Sequence, residues 1–455
     1  MYQAYITNIK NVRPHPNADR LDLAECFGNT VCVGHGEYAE GDLVVYFPTD
    51  GQLSVEFCAQ HDLVRRKDDA GNPCGGYLEP DKRNVKAIRL RGERSDGLVM
   101  PLSCLEYTGV DISTLEAGFA FTAVNGYEIC CKYIPRGRRS AAAGSGNRTR
   151  KKRVNVAPLF AEHADTEQLA YNLSAFRPGD EIEITLKMHG TSQRTGYLPV
   201  LKGYRRTLLD RLFRREGTPI YEYGYVSGTR RTVLANYEGG YYGDNSFREQ
   251  HSKLFEGKLY RGETAYYEVV AFTNDGTPIM GAAKVPSDAQ KEYGKTMIFH
   301  YGCEATGKKT LYRQDEYGIF SIDKEVPQSE MYLYRMTLTT EEGYIIEYTP
   351  ELLRYRAEQM GVKCVPVFDK FIIPAETENA GEYVKTKAEQ YYDGPDPIGK
   401  THVREGVVVR IVNRPKFSAF KHKNFLFKRI SGIITEQIAD NKEANNVSED
   451  ILSEL

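Results

Sequence analysis

The stretch EIEITLKMHGTSQRTG, Glu181–Gly196, alternates apolar and polar residues through Ile182, Ile184 and Leu186 and then breaks at Gly190. The period of two predicts a strand over 181–187, with Lys187 at its end. An exposed lysine has a pKa of ~10.4 and is a poor nucleophile at neutral pH. It becomes useful when burial or neighbouring cations lower that value. Gly190 removes a side chain where a ligand could approach the backbone closely. Taken alone, K-x-H-G reads by default as a surface lysine before a turn.

Four downstream segments change that reading. AYYEVVAF places Glu268 inside an apolar strand, where an unpaired carboxylate is costly. MYLYRMTL places Tyr332 and Tyr334 on one face of a strand. REGVVVRI places Glu405 at the mouth of an apolar strand, and FKHKNFLFK places Lys421 and Lys423 on one strand face. Singly, these read as a paired core acid, core aromatics, a strand-end charge and a solvated basic edge. Their succession within one domain argues for a single site.

In this order the segments resemble the covalent nucleotidyltransferases, the superfamily of RNA ligases, DNA ligases and mRNA capping enzymes. KMHG is similar to motif I of that superfamily, YYEVVAF to motif III, YLYRM to motif IIIa, EGVVVRI to motif IV and FKHK to motif V. The histidine of K-x-H-G, with YRMTLTTEEG and AEQMGVKCVP, resembles the RNA-ligase side. The resemblance implies that Lys187 forms a lysyl-AMP with ATP. The AMP then moves to an RNA 5′-phosphate, and a 3′-OH displaces it, an RNA-repair activity expected at nicks in duplexed RNA. It further implies Lys421 and Lys423 as holders of the α-phosphate, and Tyr334, with Tyr332 as the alternative, as the aromatic that stacks on adenine. Glu268 and Glu405 are implied as ligands, partly through water, of Mg²⁺ or Mn²⁺. VSGTRRTV resembles motif Ia, which implies ribose and phosphate contacts from Arg230 or, alternatively, Arg231. His189 and Gly190 complete the expected nucleotide site. Two positions depart from the family pattern. His189 stands where many relatives carry Asp, and Leu186 where many RNA ligases carry Glu, so side-chain recognition of adenine loses its usual group. A capping-type guanylyltransferase or a DNA ligase on the same scaffold is the alternative enzyme; a non-catalytic RNA-binding protein is the alternative of another class.

The remaining sequence frames this site. PRGRRSAAAGSGNRTRKKR, residues 135–153, carries eight basic residues, no acid and almost no core-forming residue. It reads as a flexible basic linker between an N-terminal module, 1–134, and a catalytic domain, 154–455. In the first module short strands are expected at 31–33, 43–47, 85–91 and 97–100, the last two joined by a turn at GERSDG. RPHPNADRLDLAEC and GDLVVYFP resemble the OB-type modules of tRNA-binding domains and some RNA ligases, which implies RNA or partner docking; an accessory structural barrel is the alternative. In the second domain strands are expected at 264–272, 331–338, 344–348, 405–412 and 417–423. A helix should follow Thr349 as N-cap, with Pro350 at its first position and Gly361 at its end. The expected fold class is α+β: an OB-type β-barrel followed by a nucleotidyltransferase domain of antiparallel sheets with flanking helices. Segment 201–220 reads as a basic insertion, and RISGIITEQIADNKEANNVSEDILSEL, residues 429–455, as a helix-prone acidic tail too short for a further OB domain.

Bulk composition fits a soluble globular protein of two or three domains, with 455 residues and a net charge of −2. A near-neutral chain has no overall attraction for polyanions, so RNA contact must come from local clustering. Nine cysteines without a C-x-x-C pair argue against a zinc site or a disulfide framework and for a reduced, cytoplasmic compartment. No apolar run of membrane-spanning length and no signal peptide is read. None of these motifs bears on oligomeric state.

Overall fold

A computed structural model describes residues 2–133, 156–208, 210, 213, 217–234, 237, 245–303, 307–315 and 318–440. The expected linker at 135–153 lies outside them. The chain is α+β and divides into two compact units, one built from the residues up to Arg136 together with Phe425–Asn441, the other running to Asn424.

In the N-terminal unit, strand Ala4–Asn8 lies between Leu43–Phe47 and Ala120–Phe121, and Leu98–Pro101 extends the sheet beyond Leu43–Phe47. A second antiparallel sheet contains Lys10–Pro14, Leu21–Cys26 and Asn29–Gly34. Ile6, Val45, Phe47, Leu53, Phe57 and Leu105 fill the core. The segment expected to turn at GERSDG instead contains a strand, Glu93–Asp96, paired with Ala87–Leu90. Its inward residues are polar, so no hydrophobic period marks it. Ser95 Oγ accepts the Cys32 N–H at 3.1 Å, and the Asp96 carbonyl accepts the Tyr46 hydroxyl at 2.6 Å.

The acidic tail expected to complete the catalytic domain begins as a helix, Phe425–Asp440, and belongs to the N-terminal unit. Two contacts explain this: Lys428 pairs with Asp96 at 2.5 Å, and the Arg94 guanidinium lies 4.9 Å from the Phe425 ring. Residues 154–455 are therefore not one unit.

Two antiparallel sheets dominate the second unit. One has the order β1 (Glu167–Gln168), β10 (Ser418–Lys423), β9 (Gly406–Ile411), β2 (Glu181–Lys187) and β8 (Val367–Ile372), with only the β1–β10 pair parallel. The other has the order β4 (Thr218–Gly228), β3 (Thr191–Arg205), β5 (Glu263–Ala271), β6 (Ser329–Thr339) and β7 (Ile345–Glu347). The strands β2, β5, β6, β7, β9 and β10 fall where the sequence pattern puts them, within two residues at each end. Segment 201–220 is less of an insertion than expected: 201–205 and 218–220 are paired arms of the long β3–β4 hairpin.

Helix Pro350–Met360 begins as expected. Thr349 Oγ1 accepts the Leu352 N–H at 3.3 Å, and Gly361 ends the helix at φ 69°. Leu353, Ala357 and Met360 pack on Tyr267, Leu333 and Met336 of β5 and β6. A separate core of Ile182, Ile184, Val407 and Val409 backs the first sheet. Among the described residues no helix is long and apolar enough to cross a membrane.

Candidate active site

The chain passes from the first sheet to the second between Lys187 and Thr191, through the K-x-H-G turn. In the first sheet Lys187 lies opposite Gly406 and Gly406 opposite Lys423, while Thr185, Val408 and Lys421 form the next row on the same face, two residues along. Lys187 and Lys423 thus flank one glycine on the central strand, and Glu405 immediately precedes it. Gly406 has φ 144°, and a Cβ there would lie 2.1 Å from the His422 carbonyl oxygen, so no other residue fits.

Glu405 is the hub. Its Oε1 lies 2.9 Å from Lys187 Nζ and 3.4 Å from Lys423 Nζ, and its Oε2 lies 3.5 Å from His189 Nδ1. Burial opposes ionisation of this carboxyl, yet Lys187, Lys423 and His189 together hold it well below the usual carboxylate range. The Lys421 amine is lowered as well, which for an amine disfavours the charged form. Burial first, then the charges of Lys423, Lys187 and Arg230, push it down to about 7, against a weaker opposing pull from Glu405. Burial likewise lowers His189, which outweighs the pull of Glu405 and favours a neutral imidazole.

In the second sheet Ser192, Glu268 and Tyr332 form one cross-strand row. Ser192 Oγ donates to Glu268 Oε2 at 3.0 Å, which meets part of the cost of a carboxylate in an otherwise buried strand. Gly190 has a different reason to be glycine from the ligand space expected: a Cβ would stand 2.3 Å from the Val269 carbonyl oxygen and 3.0 Å from Glu268 Cγ. The glycine lets the lysine turn lie directly against β5.

The two candidate aromatics separate. Tyr332 is only 6% exposed. Tyr334 occupies the register shift of β6 opposite Tyr266 and Tyr267, is more exposed, and meets the His163 ring edge-on at 5.6 Å. Arg230 is held by Asp165, with Nε 3.0 Å from Oδ1, and its carbonyl accepts from His163 N–H and Arg194 Nη1. Arg231 reaches the same carboxylate at 3.5 Å and is more exposed. Because Arg230 contributes to the lowering of Lys421, its guanidinium belongs to the electrostatic field of the lysine cluster.

One wall of the site carries no motif. Tyr301 is buried and its hydroxyl oxygen accepts the His189 N–H at 2.7 Å. Burial first, then the charges of Asp396, Glu405 and Glu268, raise its phenol well above the ordinary value, so one hydroxyl senses both candidate metal-binding glutamates. Phe299 presents its ring edge-on to His189 at 4.6 Å. Among the described residues no group of three or more His, Cys, Asp or Glu is disposed to hold a metal ion. The structure thus gathers Lys187, His189, Glu405, Lys421 and Lys423, with Arg230 within their field. Glu268 and Tyr334 stand on the facing sheet.

Comparison with known proteins places these features on a known fold. A family model described as an OB-fold domain matches residues 3–102. No curated protein sequence matches the chain. Among solved structures, a mutant of Naegleria gruberi RNA ligase with AMP and Mn aligns over 93% of this chain and 97% of its own, at TM-score 0.55 and 16% identity. A second mutant of that ligase, with ATP and Mn, aligns over 93% and 98%, at TM-score 0.56 and 17% identity. A third, also with ATP and Mn, covers 97% and 99%, at TM-score 0.51 and 16% identity. The chain shares the fold of these structures: an OB-fold domain followed by a sheet-rich α+β domain.

Proposed function

We propose that the protein is an ATP-dependent RNA ligase that joins 3′-OH and 5′-phosphate ends, at nicks in duplexed RNA, through a covalent lysyl-AMP on Lys187. The observation that carries this reading is the convergence of Lys187, Lys423 and His189 on the buried carboxylate of Glu405, with Lys421 close enough to be strongly perturbed. A fold shared with structures of Naegleria gruberi RNA ligase mutants with AMP and Mn or ATP and Mn supports it.

The residues divide the work by charge. Nζ of Lys187 attacks the α-phosphorus of ATP; a P–N bond forms, the bridging P–O bond to the β-phosphate breaks, pyrophosphate leaves, and the proton released from Nζ passes to solvent water. Lys421 and Lys423 hold the α-phosphate and neutralise charge that develops on its oxygens. Arg230 orients the ribose and the incoming phosphate, and Tyr334 stacks on the adenine ring. The AMP passes to the RNA 5′-phosphate, exchanging the P–N bond for a P–O–P bond, and the 3′-OH then displaces AMP to form the phosphodiester.

The donor set suits a hydrated Mg²⁺ or Mn²⁺, which needs few protein carboxylates. Glu405 and Glu268 would hold it through water, with Ser192 already orienting Glu268. Bound there, such an ion supplies positive charge at the phosphate oxygens.

The test is labelling with α-³²P-ATP or α-³²P-GTP, followed by a chase with 5′-phosphorylated RNA at a nick. Label should be retained from ATP, be absent in Lys187→Ala and move to RNA. Label from GTP alone, or undiminished label in Lys187→Ala, would overturn the assignment.

A further inference from the structure

Nothing in the sequence singles out Tyr301, yet it lies directly behind the nucleophile's turn. Its backbone has φ 46°, the left-handed region that a bulky side chain adopts only at a cost. Its hydroxyl takes the N–H of His189, which lies between Lys187 and Gly190, at 2.7 Å. Two residues earlier, Phe299 braces the His189 ring, whose Nδ1 in turn lies 3.5 Å from Glu405. Behind both, His402 is fully buried, its ring 4.7 Å from that of Tyr301 and 5.2 Å from that of Phe299. His300, between them, has Nε2 2.5 Å from Thr401 Oγ1. The turn is therefore fixed from two sides: Gly190 lies so close to β5 that a Cβ would strike the Val269 carbonyl, and His189 hangs on Tyr301.

We infer that Tyr301 is a positioning residue for the nucleophile, setting the K-x-H-G turn so that Lys187 and His189 converge on Glu405. This rests on the ligase reading above. Tyr301 need not touch ATP. It acts through the turn's backbone, and the strained conformation persists because the surrounding aromatic rings overdetermine it. A hydrogen bond of this kind matters for rate because attack on phosphorus tolerates little misalignment; displacement by an ångström costs roughly 100-fold.

The discriminating experiment is single-turnover formation of the enzyme–AMP adduct by full-length wild type and Tyr301→Phe, across ATP concentrations, with melting temperature measured on the same samples. The variant keeps the ring and removes only the acceptor. The rate at saturating ATP should fall by about 10- to 100-fold while half-saturating ATP stays within about twofold. A rate at saturation equal to wild type, with or without a lowered melting temperature, would reduce Tyr301 to a structural role. A rise in half-saturating ATP without loss of maximal rate would make it a binding group instead. If Tyr301→Phe does not fold, Phe299→Leu, which loosens the His189 ring and keeps the hydroxyl, should lower the same maximal rate; an unchanged rate overturns the inference. A wild-type protein that forms no adduct would sink the ligase assignment itself, a result distinct from two proteins that adenylate equally.

Discussion

Replacing Glu405 by Gln is the most informative single perturbation of this site. The amide preserves the shape of a side chain only 5% exposed and removes its charge. At an effective dielectric of about 20, a unit charge 2.9 Å from Lys187 and 3.4 Å from Lys423 gives gross attractions of roughly 5–6 kcal/mol each. Most of that sum is offset by desolvation of the ions. Removing one member of a buried pair typically costs about 3–5 kcal/mol, because the partner charge is left uncompensated. The two lysines retain 23% and 21% exposure, so water screens part of the loss and the lower end, about 3 kcal/mol, is expected. At about 2–4 °C per kcal/mol for a domain of this size, the unit should melt about 6–12 °C earlier.

The pH dependence supplies a sharper signature. The folded-state pKa of Glu405 is depressed, so its stabilising contribution is present above the unfolded carboxyl value of about 4.3 and is lost as pH falls through the folded value. Wild type and Glu405→Gln should therefore differ most near pH 7, and the gap should begin to narrow below about pH 4. Scanning calorimetry at pH 7, 5 and 3.5 reads this, with the transition of the catalytic unit followed separately. Melting temperatures within about 2 °C at pH 7, or a gap that persists undiminished in acid, would refute the assignment of Glu405 as the charge hub. Adduct formation with ATP should fall by about two to three orders of magnitude in the same protein.

Lys421 yields a slope of the same sign in a different pH window. Its folded value of about 7 lies below the ordinary ~10.4, so the unfolded chain binds the extra proton between those values and stability should rise with pH across that window. Lys421→Met should flatten that rise in denaturant titrations, and ATP binding near pH 8 should take up a proton that calorimetry in two buffers detects in wild type and not in the variant. Tyr334→Ala should raise half-saturating ATP by about 5- to 150-fold, the equivalent of about 1–3 kcal/mol of base stacking, in the adduct assay. An unchanged value would move the adenine platform elsewhere.

Much of this site was legible because strands with one buried face carry their own ruler. The alternation from Ile182 to Leu186 fixes which residues of β2 point inward, and the same period in VVVRI and FKHK sets Lys421 and Lys423 on one face. What such a ruler cannot supply is which strands become neighbours. The register that sets Lys187 and Lys423 astride Gly406 joins segments more than 200 residues apart, and no local pattern states it. Glu93–Asp96 escaped for a related reason: its inward positions are Ser and Asp, satisfied by hydrogen bonds and an ion pair rather than by apolar contact. Tyr301 is one of 32 tyrosines, and its strained φ and buried hydroxyl become visible only in three dimensions. Gly190 stood out as a break in the pattern, but the clash that any side chain there would make with the Val269 carbonyl becomes visible only with the second sheet in place.

The charge balance of the cluster explains why an anion should be drawn to it. Lys187, Lys423, Lys421 and Arg230 share a partly buried region in which Glu405 is the carboxylate that two of the lysines contact directly. A carboxylate at position 189 would have relieved that excess; the imidazole there is held neutral by burial and does not. The depressed Lys421 amine registers the imbalance, since the protein alone does not hold all of these cations comfortably charged. A phosphate placed between Lys421 and Lys423 would relieve the imbalance by favouring the ionised form of Lys421. Removing any one lysine should therefore weaken anion binding by less than pairwise attraction implies, because the remaining cations are at the same time relieved of their mutual repulsion.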